Sequence, residues 1–155
     1  MTSRHDDERG RLTDALEVLE RSLEAPVVPG ETELRAEAVR VAVEETRDAF
    51  VACTRYEHQR AFREIGDADP GLLHRVDRMK QEDAVLVGCW ERAATDAREL
   101  THAAAVRPGD EASFRESFAR YVTEVLDLVL TTRSQQAAVR TWVSEAFQRD
   151  RGEGD

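Results

Sequence analysis

Three proline-marked interruptions cut this chain into four stretches, each repeating apolar residues at steps of three and four, and this pattern dictates a helical fold. Pro26 and Pro29 lie in the run from Ala25 to Glu31, Pro70 in Gly66 to Gly71, and Pro108 in Val106 to Asp110. Proline removes a helical hydrogen bond and clashes with the preceding turn, so each run reads as a loop. Asp69 before Pro70 reads as an N-cap with proline at the first helical position. Asp110 before Glu111 reads as a second N-cap with an acidic first turn. The helices are placed near 4–25, 32–65, 70–105 and 111–148, with a polar tail over 149–155.

The first stretch carries Leu12, Leu16, Leu19 and Leu23, and the second Leu34, Val39, Val43, Phe50 and Ile65. The third carries Leu72, Val76, Met79, Leu86, Trp90, Ala93, Ala97 and Leu100. The fourth carries Phe114, Phe118, Val122, Val125, Val129, Val139, Trp142 and Ala146. This is the period of helices facing one core, and nothing alternates at the strand period over a useful length. Short loops favour antiparallel neighbours, so the expected fold is all-α, a single-domain, up-and-down four-helix bundle over 1–148. Helices of more than thirty residues commonly kink, and Gly88 is one candidate site.

Charge narrows the partners. The 22 Lys and Arg against 32 Asp and Glu give a formal charge of −10, which repels nucleic acid and anionic membrane surfaces alike. The polar start, Met1 to Glu8, lacks the apolar core of a signal peptide, and the apolar run from Ala84 to Trp90 is about a third of the ~20 residues that cross a bilayer. A cytoplasmic location is expected. Cys53 and Cys89 form no Cys-x-x-Cys pair and read as reduced residues packing as small hydrophobes. Trp142, Val143 and Phe147 are apolar across neighbouring faces, a patch that would suit a homodimer.

The informative positions interrupt the stripes. Thr46, Phe50, Cys53, Glu57 and Ala61 keep one spacing and put a carboxylate on the face of Phe50; Val76, Met79, Asp83, Leu86 and Trp90 do the same for Asp83. On the fourth stretch, Val129, Thr132, Gln136 and Val139 turn two neutral polar groups inward, and His5 lies one heptad before Leu12. An unpaired buried carboxylate costs several kcal/mol. Two arrangements stay open: a buried polar layer whose members satisfy one another or hold a metal, or helix drift that returns Glu57 and Asp83 to solvent. His58 and His74 have no histidine partner one turn away and read as surface residues. Glu99 and His102 form a lone Glu-x-x-His, read as coincidence beside the two such motifs a ferritin-like site needs.

The run Phe50 to Phe62, the Asp69-Pro-Gly-Leu-Leu73 turn and the run Val76 to Leu86 together resemble the centre of hemerythrin-like (HHE cation-binding) domains. The ending from Ser144 is similar to tails in a bacterial branch of that family. The resemblance implies a bundle whose helices supply histidine and carboxylate ligands to a non-haem di-iron site. Carried over, His5 takes the place of the first-helix histidine. Cys53 stands for the histidine of His-x-x-x-Glu, with Glu57 keeping its glutamate. Asp83 after Glu82 replaces another histidine, and Thr132 and Gln136 stand at the last histidine and carboxylate. Most imidazoles are gone. The expectation is a non-enzymatic binding or assembly module with a degenerate metal site and no cofactor. The alternative is a metal-binding protein in oxygen or metal sensing, using His5, Cys53, Glu57 and Asp83 to hold one iron, zinc or manganese ion.

Overall fold

The structure, a computed structural model, describes residues 5–107 and 109–152, with side chains described for 8–107 and 109–148. Four helical stretches appear among the described residues, and no strand. The first is α1 (His5–Glu24). The second begins as α2 (Thr32–Cys53), opens into one π turn (Thr54–His58) and resumes as α3 (Gln59–Ala68). A short 3₁₀ turn (Pro70–Leu72) leads into α4 (Leu73–Val106), and α5 (Glu111–Gly152) completes the chain. No helix is long and apolar enough to cross a membrane among the described residues.

Loop chemistry acts where proline marks it. The Asp69 carboxylate accepts from the Gly71 N–H at 2.9 Å with Pro70 at the first position of the turn, and Asp110 Oδ1 accepts from the Ser113 N–H at 3.3 Å. Gly30 takes φ of 82° in the α1–α2 connection, a conformation only glycine adopts freely, and its N–H donates to Glu111 Oε1 at 2.8 Å. That bond holds the start of α2 against the start of α5.

The stripes bury as expected on α1, where Leu12, Leu16, Leu19 and Leu23 are all in the core. On α2 the buried face is set by small residues, Ala36, Ala42 and Ala49, beside Val39, Val43 and Phe50. Leu34 falls out of phase with that face and is 72% exposed, contrary to its assignment to the stripe. Helix α4 stays α-helical through Gly88, and the departure from regular hydrogen bonding falls instead at Thr54–His58. Helix α5 runs on to Gly152, beyond the expected end at 148.

The core has two parts. The larger joins α1, α2, the second half of α4 and the first half of α5 around Phe50, Trp90 and Val129. The smaller joins α3, the start of α4 and the end of α5 around Phe62, Ile65, Met79 and Val139. Trp142 and Val143 pack against this smaller part, and the Arg75 guanidinium lies 4.1 Å over the Trp142 ring. The apolar surface expected at the end of α5 is thereby reduced to Phe147, 46% exposed.

Candidate functional site

Between the two core parts each contributing helix carries polar side chains, and three helical stretches bring theirs together. The His58 ring, 1% exposed, places Nδ1 at 2.9 Å from both oxygens of Asp83 on α4. The Gln135 amide on α5 donates a hydrogen bond to Asp83 Oδ1. Its neighbour Gln136 sets Nε2 at 2.9 Å from His58 Nε2 and accepts at Oε1 from the Cys53 thiol at 3.7 Å. One hydrogen-bonded chain therefore runs Cys53, Gln136, His58, Asp83, Gln135. Beside it Trp90 Nε1 donates to the Thr132 hydroxyl at 3.1 Å, which satisfies two further buried polar groups.

The π turn makes this possible. Its hydrogen bonds close five residues apart rather than four, so the helix face gains one residue there. The Thr54 hydroxyl donates to the Val51 carbonyl at 2.9 Å, and the Thr54 N–H is shared between the Phe50 and Val51 carbonyls. Such side-chain competition loosens the regular ladder. After Cys53 the inward position accordingly falls on His58 and not on Glu57.

Burial works against a charged His58 ring. Hydrogen bonding to Asp83 and to Cys53, with their attraction, outweighs it and lifts the pKa from 6.5 to about 9. Two proton arrangements satisfy the chain. With a neutral ring, Nδ1–H faces Asp83, and the Gln136 N–H donates to Nε2. With a protonated ring both nitrogens donate, so the Gln136 amide must turn its oxygen to Nε2 and its N–H to the Cys53 sulfur. The amide rotation couples the ring's charge to the thiol.

The expected ligand positions divide accordingly. The His5 side chain lies outside the described residues. Cys53, Asp83 and Thr132 are buried as their spacing requires. Gln136 is partly buried and touches His58. Glu57 is displaced to the edge of the layer, where Oε2 lies 3.9 Å from Arg9 Nη2. His58, read from the sequence as a surface residue, is instead the centre of the network. Gln135 was also missed, although it lies three residues beyond Thr132 and fits the period as well as Gln136 does. His74 is exposed, in keeping with the sequence reading, and His102 is exposed as well. Gln135 Oε1 is buried with no hydrogen-bond partner among the described residues.

Among the described residues no group of three or more His, Cys, Asp or Glu side chains is placed to hold a metal ion. Both His58 ring nitrogens and Asp83 Oδ1 are engaged by neighbouring side chains. No protein-family model matches the chain, and neither does any curated protein or any solved structure.

Proposed function

We propose that this chain is a non-enzymatic, hemerythrin-like antiparallel bundle in which a closed hydrogen-bonded network occupies the place of a di-iron centre, and which acts as a binding or assembly module. The carrying observation is the engagement of His58 on both ring nitrogens, by Asp83 on one side and Gln136 on the other. Such a network keeps a polar interior inside a bundle without a cation. The antiparallel order is supported by side-chain pairs whose numbers run in opposite senses. Ala93, Trp90 and Asp83 on α4 meet Tyr121, Thr132 and Gln135 on α5. Likewise Glu44 and His58 meet Arg98 and Asp83, and Thr46 and Glu57 meet Ala15 and Arg9.

Acidic surface charge favours neither nucleic acid nor an anionic membrane as partner, and a cytoplasmic setting suits the two free cysteines. A second copy of the chain is the partner that Phe147 would fit. The test is elemental analysis after expression in iron-supplemented medium, with a visible spectrum in air. The expected result is no stoichiometric metal and no band. Two irons per chain with an oxo-bridge absorption would overturn the reading, and one tightly held ion would favour the metal-sensing alternative.

A further inference from the structure

A cavity of about 280 Å³ opens between α1 and α5. Leu12 and Leu16, both buried, lie at its base, and Gln136 lines it too, with its amide bonded to His58 and Cys53. Three arginines complete it, Arg9 from α1 and Arg133 and Arg140 from α5, and no carboxylate lines it among the described residues. A chain of formal charge −10 thus gathers positive charge at one place. The sequence of α5 accounts for this. From Leu128 to Ser144 there is no Asp or Glu, the longest such run in the chain. Neither Arg133 nor Arg140 therefore has an acid three or four residues away, the spacing at which a helix pairs its own cations.

Acids reach these arginines only from other helical stretches, and they do so unequally. Arg133 Nη2 lies 2.6 Å from Glu20 Oε2 in an ion pair across the α1–α5 seam. Arg9 Nη2 lies 3.9 Å from Glu57 Oε2, beyond hydrogen-bond reach. Arg140 has neither an ion pair nor a hydrogen bond from its side chain among the described residues. Two carboxylates thus meet three guanidiniums, and the charge left over belongs to Arg140. A guanidinium presents its N–H donors as a planar fork, a shape that matches the paired oxygens of a carboxylate.

We propose that the α1–α5 cavity binds a small organic carboxylate, its two oxygens on Arg140 and its hydrocarbon body over Leu12 and Leu16. One uncompensated positive charge selects a monoanion, and an apolar base favours an anion with a hydrocarbon body over an inorganic one. Arg133 and Arg140 stand two turns apart on α5, about 10 Å, an interval that suits a short alkyl chain. Of the His58 network the cavity shares only Gln136. Metal found in that network would therefore leave this inference standing.

The probe is sodium hexanoate, titrated into the full chain at about physiological salt and followed by nuclear magnetic resonance of the backbone amides and the arginine Nε–H groups. Saturable shifts are expected, confined to residues 9–16 and 133–140 and including the Gln136 side-chain amide. Hexan-1-ol, which keeps the hydrocarbon body and lacks the charge, should not produce them. Inorganic phosphate should saturate them only at higher concentration. Arg140→Gln should weaken hexanoate binding at least ~10-fold, the loss of a charge-assisted two-point contact. Arg63→Gln, which removes the same charge from the exposed side of α3, should leave it unchanged. Both substituted residues are exposed, and an unaltered thermal midpoint confirms that each variant is folded. Shifts that rise without saturating overturn the proposal, as does wild-type affinity in Arg140→Gln or an equal loss in Arg63→Gln. An equal response to hexan-1-ol would reduce the site to an apolar crevice, and tighter binding of phosphate would reduce it to a general anion site; either result also overturns it.

Discussion

The His58 imidazole, held above its ordinary pKa in the folded chain, makes stability depend on pH. Its folded value is raised from 6.5 to about 9, so its contribution is complete below about 6.5 and is lost as pH rises through 9. The urea midpoint should therefore fall between pH 6 and pH 9.5, by on the order of 2–3 kcal/mol in unfolding free energy. Asp83→Asn removes the main source of the shift and should flatten the profile. Equal slopes in the two proteins would assign the effect to other groups. Asp83→Leu alone should destabilise by about 3–5 kcal/mol, and His58→Leu in the same chain should recover part of that loss, because breaking one side of a buried pair costs more than replacing both. Asp83, Cys53 and Thr132 were legible in the sequence because the helices up to them are regular. Gln135 and Gln136 were not separable, since both lie one helical step beyond Thr132.

At the scale of the element, the π turn is a surplus of one residue in a stripe that is otherwise α-helical. Deleting Tyr56, which is 54% exposed, would place His58 four residues beyond Cys53 and restore an ordinary turn with His58 still facing Asp83. The variant should keep its helical circular dichroism and unfold within a few degrees of the parent. Deleting Val85, 64% exposed in regular α4, should instead rotate everything beyond it by about 100° and expel Trp90 from the core. Similar losses from both deletions would show that the wide turn is required in its own right. Helix ends were legible because Asp69, Asp110 and the prolines act through their own backbone chemistry. The π turn was not, because its cause, the Thr54 hydroxyl on the Val51 carbonyl, is ordinary in helices that remain regular. One extra residue then shifted every inference drawn from spacing between Cys53 and Ala61.

For the whole molecule, the apolar stripes were sufficient to indicate an all-helical chain, while the division of its interior was not visible in them. On each of three helical stretches the polar residues fall between members of the two core parts: His58 between Cys53 and Ala61, Asp83 between Met79 and Leu86, and Gln135 between Val129 and Val139. No described side chain of α1 enters the smaller part. Among the described residues that part is therefore enclosed by one helical stretch fewer than the larger, and the polar layer lies between the two apolar clusters. The consequence is graded cooperativity: the smaller end should open as a unit of its own, at a lower free energy than global unfolding. Native-state hydrogen exchange in low urea should find the amides of Phe62, Ile65, Val76 and Val139 merging into a shared opening below that of Val43, Ala94 and Val129. A single isotherm for all seven would mean that the hydrogen-bonded layer binds the two ends into one folding unit. If they separate, protonation of His58 becomes the clasp between them, and alkaline solution should widen the gap in protection between the two ends before the protein as a whole unfolds.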